Sequence, residues 1–461
     1  MSGGGAPEPA LGNVNPTEVA VGHMLDETRS ARLLYVAPVL LGFIMLFDSW
    51  DSAAIAYVMP SLVKEWSLTP VAMGSLMSAG YAGQFVGAVS LGILAERFGR
   101  MPVFLVAMAL MCILAIGCAV APDYSTLFAL RLVQGIAIGG ALPVSITYIN
   151  ELAPTKIRGR YFATFQFLCM AGYAAASISS AYVIPNFGWR WLFGIGAFPL
   201  VLLPLVMILL PESPRWLARS GKIDEANRAL RKLGGGTVTA PSENVVKTEA
   251  GPRVKVAPTK VTALFSPEYR RRTIIVIAMW FATSFASFGL TTWVPSIYVT
   301  VFHIPVAEAL TYSAIASTVF LFVSPTVGFI IDHFGRRPPA IAVTLIASVA
   351  LLGLAVYIPQ STAALVAMVV TGQIAIFVGS MIIWPYTAEI YPTKVRALGL
   401  GMVSSTARAA SMLTPLLVGG ILGSGGSISL VFAAFGFCAL TAFILWVTAT
   451  RETARKSLDA L

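Results

Sequence analysis

The chain has 461 residues, of which 57% are apolar and only 11% are charged. Soluble domains carry about 25% charged residues, so this composition excludes an ordinary soluble domain and indicates a chain buried largely in a bilayer. The formal net charge is +10, but the basic residues cluster in short loops between apolar runs, which argues against a nucleic-acid partner.

The positions of the apolar runs divide the chain into five parts. Pro16 opens a short amphipathic helix in the N-terminal tail, which we expect to lie at the membrane interface. Two parts each contain six apolar runs long enough to cross a bilayer, which predicts an all-α membrane protein with twelve spans. The five parts are the tail 1–32, the first bundle 33–210, the linker 211–271, the second bundle 272–449 and the tail 450–461.

The linker is the longest polar stretch between two spans. Its first part, Pro214 to Leu233, is basic and predicts an amphipathic surface helix. Its second part, Gly234 to Pro258, predicts a flexible loop. If both termini are cytoplasmic, all but four of the 31 Lys and Arg residues fall on the cytoplasmic side or in the tails. The positive-inside rule therefore favours that orientation.

A charged loop between the second and third spans is repeated between the eighth and ninth. Gly92 is suited to close approach of two helix backbones, and Gly99 to a tight turn. We expect Glu96 to lie beside the start of the eleventh span, since a carboxylate is favoured at a helix N-terminus. Arg97 and Arg100 would tie the loop to adjacent helix ends. The predicted gating residues of the two loops are Gly92, Glu96, Arg97, Gly99, Arg100, Asp332, Gly335 and Arg336.

A second repeated segment has nearly the same spacing. Glu151 to Gly159, with the sequence ELAPTKIRG, matches Glu389 to Ala397, with the sequence EIYPTKVRA. Paired segments in the same order indicate two halves of one topology, which is the parallel repeat of a rocking transporter.

The two charged loops resemble the signature of the major facilitator superfamily of transporters. This resemblance covers nearly the whole chain. It implies twelve transmembrane helices in two pseudo-symmetric six-helix bundles around a central cavity, and transport by alternating access.

Three ionisable residues in the first bundle lie within predicted spans, where each costs about 2.5–3.5 kcal/mol. Asp48 and Asp51 share one face of the first span, and Arg131 lies at a similar depth in the fourth. One interpretation is a static ion pair. The other is a protonation switch, because one cation cannot neutralise two carboxylates. The segment Asp48 to Asp51 resembles the paired-aspartate motif of aromatic-acid/proton symporters, and nicotinate permeases have a similar spacing; in that family these positions are needed for transport.

Arg408 lies near the middle of the eleventh span, at the depth where transporters bind substrates. No carboxylate of the second bundle is placed at that depth. A buried guanidinium without a partner favours a bound anion, and its planar fork fits a carboxylate. The alternative is hydrogen bonding to helix carbonyls and waters. The surrounding segment resembles the eleventh helix of aromatic-acid symporters, organic-anion transporters and nicotinate permeases, which have an Arg there.

Aromatic residues are frequent in the same bundle. Phe281, Phe285 and Phe288 recur at helical spacing in the seventh span, and Trp384 and Tyr386 flank Pro385 in the tenth. A pocket of rings with one Arg suits a flat carboxylate, although aromatic side chains in spans commonly pack or face lipid. All five are candidate substrate-binding residues.

These features together predict a proton-coupled symporter that imports a small aromatic or heteroaromatic monocarboxylate. The alternatives are a sugar transporter, an organic-cation or drug exporter, and a nutrient sensor that does not transport. The sequence lacks the constellations typical of an enzyme, and no cofactor is expected besides the coupling proton. We expect a monomer in the inner membrane of a bacterium, with lipid, protons and the organic anion as its partners.

Overall fold

The computed structural model describes residues 16–27, 32–234 and 261–453, and within these ranges the regular elements are all helices. Twelve spans are long and apolar enough to cross a membrane, as predicted. The helices of the first half are α1 (Pro16–Glu27), α2 (Arg32–Trp66), α3 (Pro70–Phe98), α4 (Arg100–Ala119), α5 (Tyr124–Leu152), α6 (Arg158–Phe187), α7 (Arg190–Gly196) and α8 (Pro199–Leu209). They are followed by α9 (Pro214–Arg219), α10 (Ile223–Lys232), α11 (Arg270–Thr300), α12 (Val306–Phe334), α13 (Arg337–Val356), α14 (Thr362–Ile390), α15 (Thr393–Gly423) and α16 (Ile428–Thr448).

The two halves repeat the same helix packing. In the first half α2 packs on α6, and α5 packs on both α3 and α4. In the second half the equivalent pairs are α11 with α15, and α14 with both α12 and α13. The sixth span is not one continuous helix but is broken into α7 and α8. The fold is therefore two pseudo-symmetric six-helix bundles around a central space.

Glycines allow the two bundles to touch at one end only. At this end, a Cβ on Gly74 of α3 or on Gly419 of α15 would collide with a backbone carbonyl of the partner helix. Ser78 nearby donates a hydrogen bond to the carbonyl of Met412 across the interface, at 2.7 Å. We call this end the far end. The opposite end carries α9 and α10, and we call it the linker end. The central space is closed at the far end.

The linker end is open between the bundles. Gly92 was expected to permit close approach of two helices, but a Cβ there would meet nothing within 4 Å in the described part of the chain. The same holds for Gly401 on α15. The predicted close approach at Gly92 is therefore wrong for this conformation, because the two helices that converge at the far end diverge here.

Each charged loop ties helices of its own half together. The buried Arg100 donates to Glu151 at the end of α5, at 3.0 Å, and to Glu96 at 2.8 Å. Arg336 repeats this geometry with Glu389, at 2.9 Å, and with Asp332, at 3.3 Å. The expected turns are confirmed, since Gly99 has φ +105° and Gly335 has φ +86°. These φ values favour glycine because a side chain would be strained there.

Glu96 does not lie at the start of the eleventh span. Its carboxylate pairs instead with Arg100 and with Arg219 of α9, the latter at 2.9 Å. Arg97 is exposed, and its guanidinium lies over the ring of Phe98, at 5.3 Å. The contacts of this loop therefore stay within the first half and the linker, because the open linker end separates it from α15.

The linker is structured differently from the prediction. A single surface helix was expected from Pro214 to Leu233, but Gly221, with φ +77°, separates two short helices, α9 and α10. The predicted flexible loop falls almost entirely outside the described residues, as do the first fifteen residues and the last eight.

The N-terminal helix α1 docks on the protein. Val21 and Leu25 are fully buried in the core of the first half, so the apolar side of α1 packs on the protein. Asp26 accepts hydrogen bonds from the backbone amide and the hydroxyl of Thr155, at 2.6 and 2.7 Å. Slight burial opposes the effect, but these bonds and the nearby Arg215 hold the pKa of Asp26 below its ordinary value.

We predict that Asp26→Ala loosens α1. The lost charge-assisted contact is partly exposed and is worth about 1 kcal/mol, so amide exchange of α1 should become roughly fivefold faster by mass spectrometry. Because the pKa is lowered in the folded state, the contact stabilises above the ordinary Asp pKa and is lost as the pH falls. The difference between variant and wild type should therefore vanish in acid. His23→Ala, an exposed change on the same helix, is the control; equal exchange in both variants would contradict the assignment.

Candidate functional site

The buried charges of the spans lie on three helices around the central space. Asp48 and Asp51 are on α2, Arg131 is on α5, and Arg408 comes from α15 of the other half. The first three are buried, and Arg408 is partly exposed. Because each charge is costly in a membrane, its partners decide what it can do.

Asp51 and Arg131 form a closed pair. A nitrogen of the guanidinium lies 2.6 Å from one carboxylate oxygen of Asp51. Gln134, one turn after Arg131, donates to the other oxygen of Asp51, at 3.0 Å, and accepts from Arg131, at 2.9 Å. The Phe193 ring lies 5.6 Å from the guanidinium. Both carboxylate oxygens are thus satisfied, and the pair joins α2 to α5 as a neutral unit.

Asp48 is the surplus carboxylate. Its side chain is buried one helical turn before Asp51, and within the described part of the chain its Oδ1 has no hydrogen-bond partner. A buried oxygen without a partner costs about 1–3 kcal/mol when neutral and more when charged. The sequence argument that two carboxylates compete for one cation therefore resolves in favour of Asp51, and Asp48 is left without an ion pair among the described residues.

Arg408 faces the first half. One nitrogen of its guanidinium lies 3.5 Å from the carbonyl oxygen of Gln84 on α3, which is a long contact. Among the described residues, no carboxylate comes within ion-pair distance of Arg408. The cation and the surplus carboxylate Asp48 therefore belong to opposite bundles, and neither forms an ion pair among these residues.

The predicted aromatic residues divide into two groups. Trp384 is 48% exposed, and its ring lies edge-on to Trp280, with ring centres 4.6 Å apart. Phe288 is partly exposed and contacts Tyr81 of the first half, with centres 5.8 Å apart. Phe281 is also partly exposed. These three side chains therefore keep exposed ring surface.

Phe285 and Tyr386 are packed in the core, which is a correction to their predicted role. Phe285 is 6% exposed and packs against Phe435 of α16. Tyr386 is 1% exposed and packs against Trp446 of the same helix. The reason for Tyr386 is rotation, since two residues along a helix turn the side chain by about 200° away from Trp384.

Sequence reasoning missed the tyrosines of the first half. Tyr81 on α3 and Tyr173 on α6 are partly exposed, and the Tyr81 ring contacts Phe288 of the second half. The hydroxyl of Tyr57 on α2 lies 3.4 Å from that of Ser317 on α12, across the interface. A tyrosine in an apolar run carries no signal of the face it occupies, so only the packing of the halves identifies them. In the described residues, no cluster of His, Cys, Asp and Glu could hold a metal ion.

We predict that Arg131→Met lowers the free energy of unfolding by about 3–5 kcal/mol, because Asp51 is left buried without its cation. Thermal unfolding in detergent should show a clear loss in Tm. The double variant Asp51→Leu/Arg131→Met should recover most of this loss, since it removes both charges. Arg219→Met, which breaks an exposed pair, is the control and should cost below about 1 kcal/mol. A double variant as unstable as Arg131→Met would contradict the pairing.

Comparisons with known proteins bear on this site. The family described as "Sugar (and other) transporter" matches residues 36–461. The chain is 28% identical to a niacin transporter of Acinetobacter baylyi, over 92% of this chain and 95% of that protein. It is 30% identical to a gallate transporter of Pseudomonas putida, over 91% and 92%.

Solved structures agree with the fold. The inward-open xylose transporter of E. coli superposes with a TM-score of 0.72 at 21% identity, covering 92% of this chain and 98% of that one. The chain is therefore an integral membrane protein that belongs to the sugar (and other) transporter family, within the major facilitator superfamily.

Proposed function

We propose that this transporter imports a small aromatic or heteroaromatic monocarboxylate together with protons. The observation that carries the proposal is Arg408, a guanidinium in the central space with no carboxylate at ion-pair distance among the described residues. A bound carboxylate would supply the missing anion through a charge-assisted, often bidentate contact. The partly exposed rings of Trp384, Phe281 and Phe288 offer apolar surface for a flat ring.

The relatives support this substrate class. One is named for niacin and another for gallate, and both compounds are aromatic or heteroaromatic acids with one carboxylate. The two substrates differ in ring and substituents, and the feature they share is the one that Arg408 can bind.

Proton coupling follows from the position of Asp48. When Asp48 is ionised, its charge attracts Arg408 across the interface. When Asp48 takes a proton, Arg408 is released to bind the substrate carboxylate, and the buried charges balance again. Asp51 and Arg131 hold α2 in register and do not exchange partners in this scheme. The coupling ion is a proton on Asp48, and no other cofactor is required.

The basic loops support a linker end in the cytoplasm, with the open end facing inward and both termini cytoplasmic. The bacterial relatives favour the inner membrane as the location. We propose a monomer, because each chain contains both halves of the site.

Other functions have less support. The family description and the xylose transporter point to sugars, but a sugar has no charge for Arg408. An organic cation would be repelled by the same residue. A nutrient sensor on this fold would bind the same anion without moving it, and uptake into vesicles separates the two.

We predict that Arg408→Ala weakens binding of benzoate or nicotinate roughly ten- to a hundredfold, because the charge-assisted contact is worth about 1.5–3 kcal/mol. Arg408→Lys should lose less affinity, since lysine keeps the positive charge but lacks the planar, bidentate donor geometry of the guanidinium. Benzamide and nicotinamide should bind the unmutated protein poorly. Calorimetry on purified protein measures all of these.

Arg228→Ala is the matched control, since Arg228 is exposed on α10 of the linker and should leave binding unchanged. If Arg408→Ala weakens the acid and its amide equally, Arg408 is a structural residue and the anion proposal loses its support. Tighter binding of xylose or of a quaternary amine than of either acid would favour the corresponding alternative.

A further inference from the structure

A shallow cavity of about 350 Å³ lies on the outer wall of the first half, away from the central space. It is formed where α2 meets the broken sixth span. The residues that line it are all apolar: Phe47, Trp191, Gly194, Ile195 and Phe198. None of the functions proposed above uses this cavity.

The break between α7 and α8 creates the cavity. The amides of Ala197 and Phe198 donate to the carbonyls of Gly194 and Ile195, at 3.1 and 3.0 Å, so the chain tightens before Pro199 begins α8. A Cβ on Gly194 would meet nothing within 4 Å among the described residues. The missing side chain therefore leaves a notch in the helix surface, and Phe47, whose ring lies 5.4 Å from that of Phe198, forms its floor.

The notch faces the bilayer. Trp191 is 61% exposed and Phe198 is 46% exposed, and such large apolar surfaces on a membrane span favour lipid over water. Gly194 lies four residues from Arg190 at the end of the span, which is about 6 Å of helix rise. This depth is within one leaflet, because each leaflet contributes about 15 Å of the hydrocarbon core.

An ion pair marks the membrane edge above the notch. Arg190 lies 2.9 Å from Glu65 at the end of α2, and both side chains are well exposed. Its guanidinium stacks on Trp189, at 4.3 Å. Arg190 and Gly194 are four residues apart, so they share one face of α7. That face therefore presents paired charges of both signs, and below them an empty apolar groove.

We propose that this face binds one zwitterionic phospholipid from the leaflet at the far end. The phosphate lies at Arg190, the ammonium group at Glu65, and one acyl chain fills the notch between Trp191 and Phe198. A zwitterionic headgroup brings a negative phosphate to Arg190 and a positive ammonium group to Glu65. An anionic headgroup without an ammonium group would place only negative charge beside Glu65.

The bound lipid would support the charged pair inside the bundle. Trp50 of α2 donates to the carbonyl of Leu192 on α7, at 3.0 Å. A Cβ on Gly196 would lie 3.7 Å from a carboxylate oxygen of Asp51. The helix segment that forms the notch on its lipid side thus covers the Asp51–Arg131 pair on its inner side.

The test is retention of dioleoyl-phosphatidylethanolamine by the full-length protein in detergent, measured by native mass spectrometry. Gly194→Leu fills the notch without a clash. Gly420→Leu is the matched control, because Gly420 is another helical glycine with open space around it, at the exposed end of α15. We expect one bound lipid on wild type and on Gly420→Leu, and roughly tenfold weaker retention on Gly194→Leu, since each lost methylene contact weakens acyl-chain binding.

The headgroup is tested with dioleoyl-phosphatidylglycerol, which has no ammonium group and should bind more weakly than the zwitterionic lipid. Thermal unfolding of delipidated protein gives a second readout, because added phosphatidylethanolamine should raise the Tm of wild type and of Gly420→Leu but not of Gly194→Leu. Equal retention by the two variants, or binding of the anionic lipid as tight as of the zwitterionic one, would overturn the proposal.

Discussion

The structure depends on how its buried charges are paired. Inside the first half, Arg131 pairs with Asp51, and Gln134 bonds both members of the pair. Asp48 lies on α2 of the first half and Arg408 on α15 of the second, and neither forms an ion pair among the described residues. Buried charges cost free energy in a membrane, so the ion pair between Asp51 and Arg131 holds α2 and α5 of the first half together. Because Asp48 and Arg408 lie in different halves, their electrostatic energy depends on how the halves are positioned relative to each other.

The rest of the fold keeps each half rigid while leaving the interface weak. Arg100 and Arg336 fasten the helix ends of their own halves at the linker end. Among the described residues, the polar contacts between the halves include hydrogen bonds to two backbone carbonyls, those of Met412 and Gln84, and glycine surfaces pack against each other at the far end. In the proposed cycle, rocking of one bundle against the other would move Arg408 relative to Asp48, and this movement would link substrate binding to protonation.

Much of this arrangement could be predicted from the sequence. The apolar runs predicted the twelve spans, and helical depth alone placed Asp51 within reach of Arg131. The predictions that were wrong depended on how a helix is rotated about its axis or on where the second half packs. Tyr386 is expected to line the cavity because it flanks Pro385 together with Trp384, but two residues of helix rotation turn it into the core. The opposition of Asp48 and Arg408 links residues far apart in sequence and depends on how the bundles meet, so no local pattern contains it.

The central claim is that the protonation of Asp48 and the binding of an anion by Arg408 are linked. The direct measurement is proton uptake when benzoate or nicotinate binds to purified protein in weakly buffered solution near neutral pH. Linkage predicts about one proton taken up per anion bound by wild type and by Asp51→Leu/Arg131→Met, and none by Asp48→Asn. Equal uptake by wild type and Asp48→Asn would contradict the account, because the proton would then bind elsewhere.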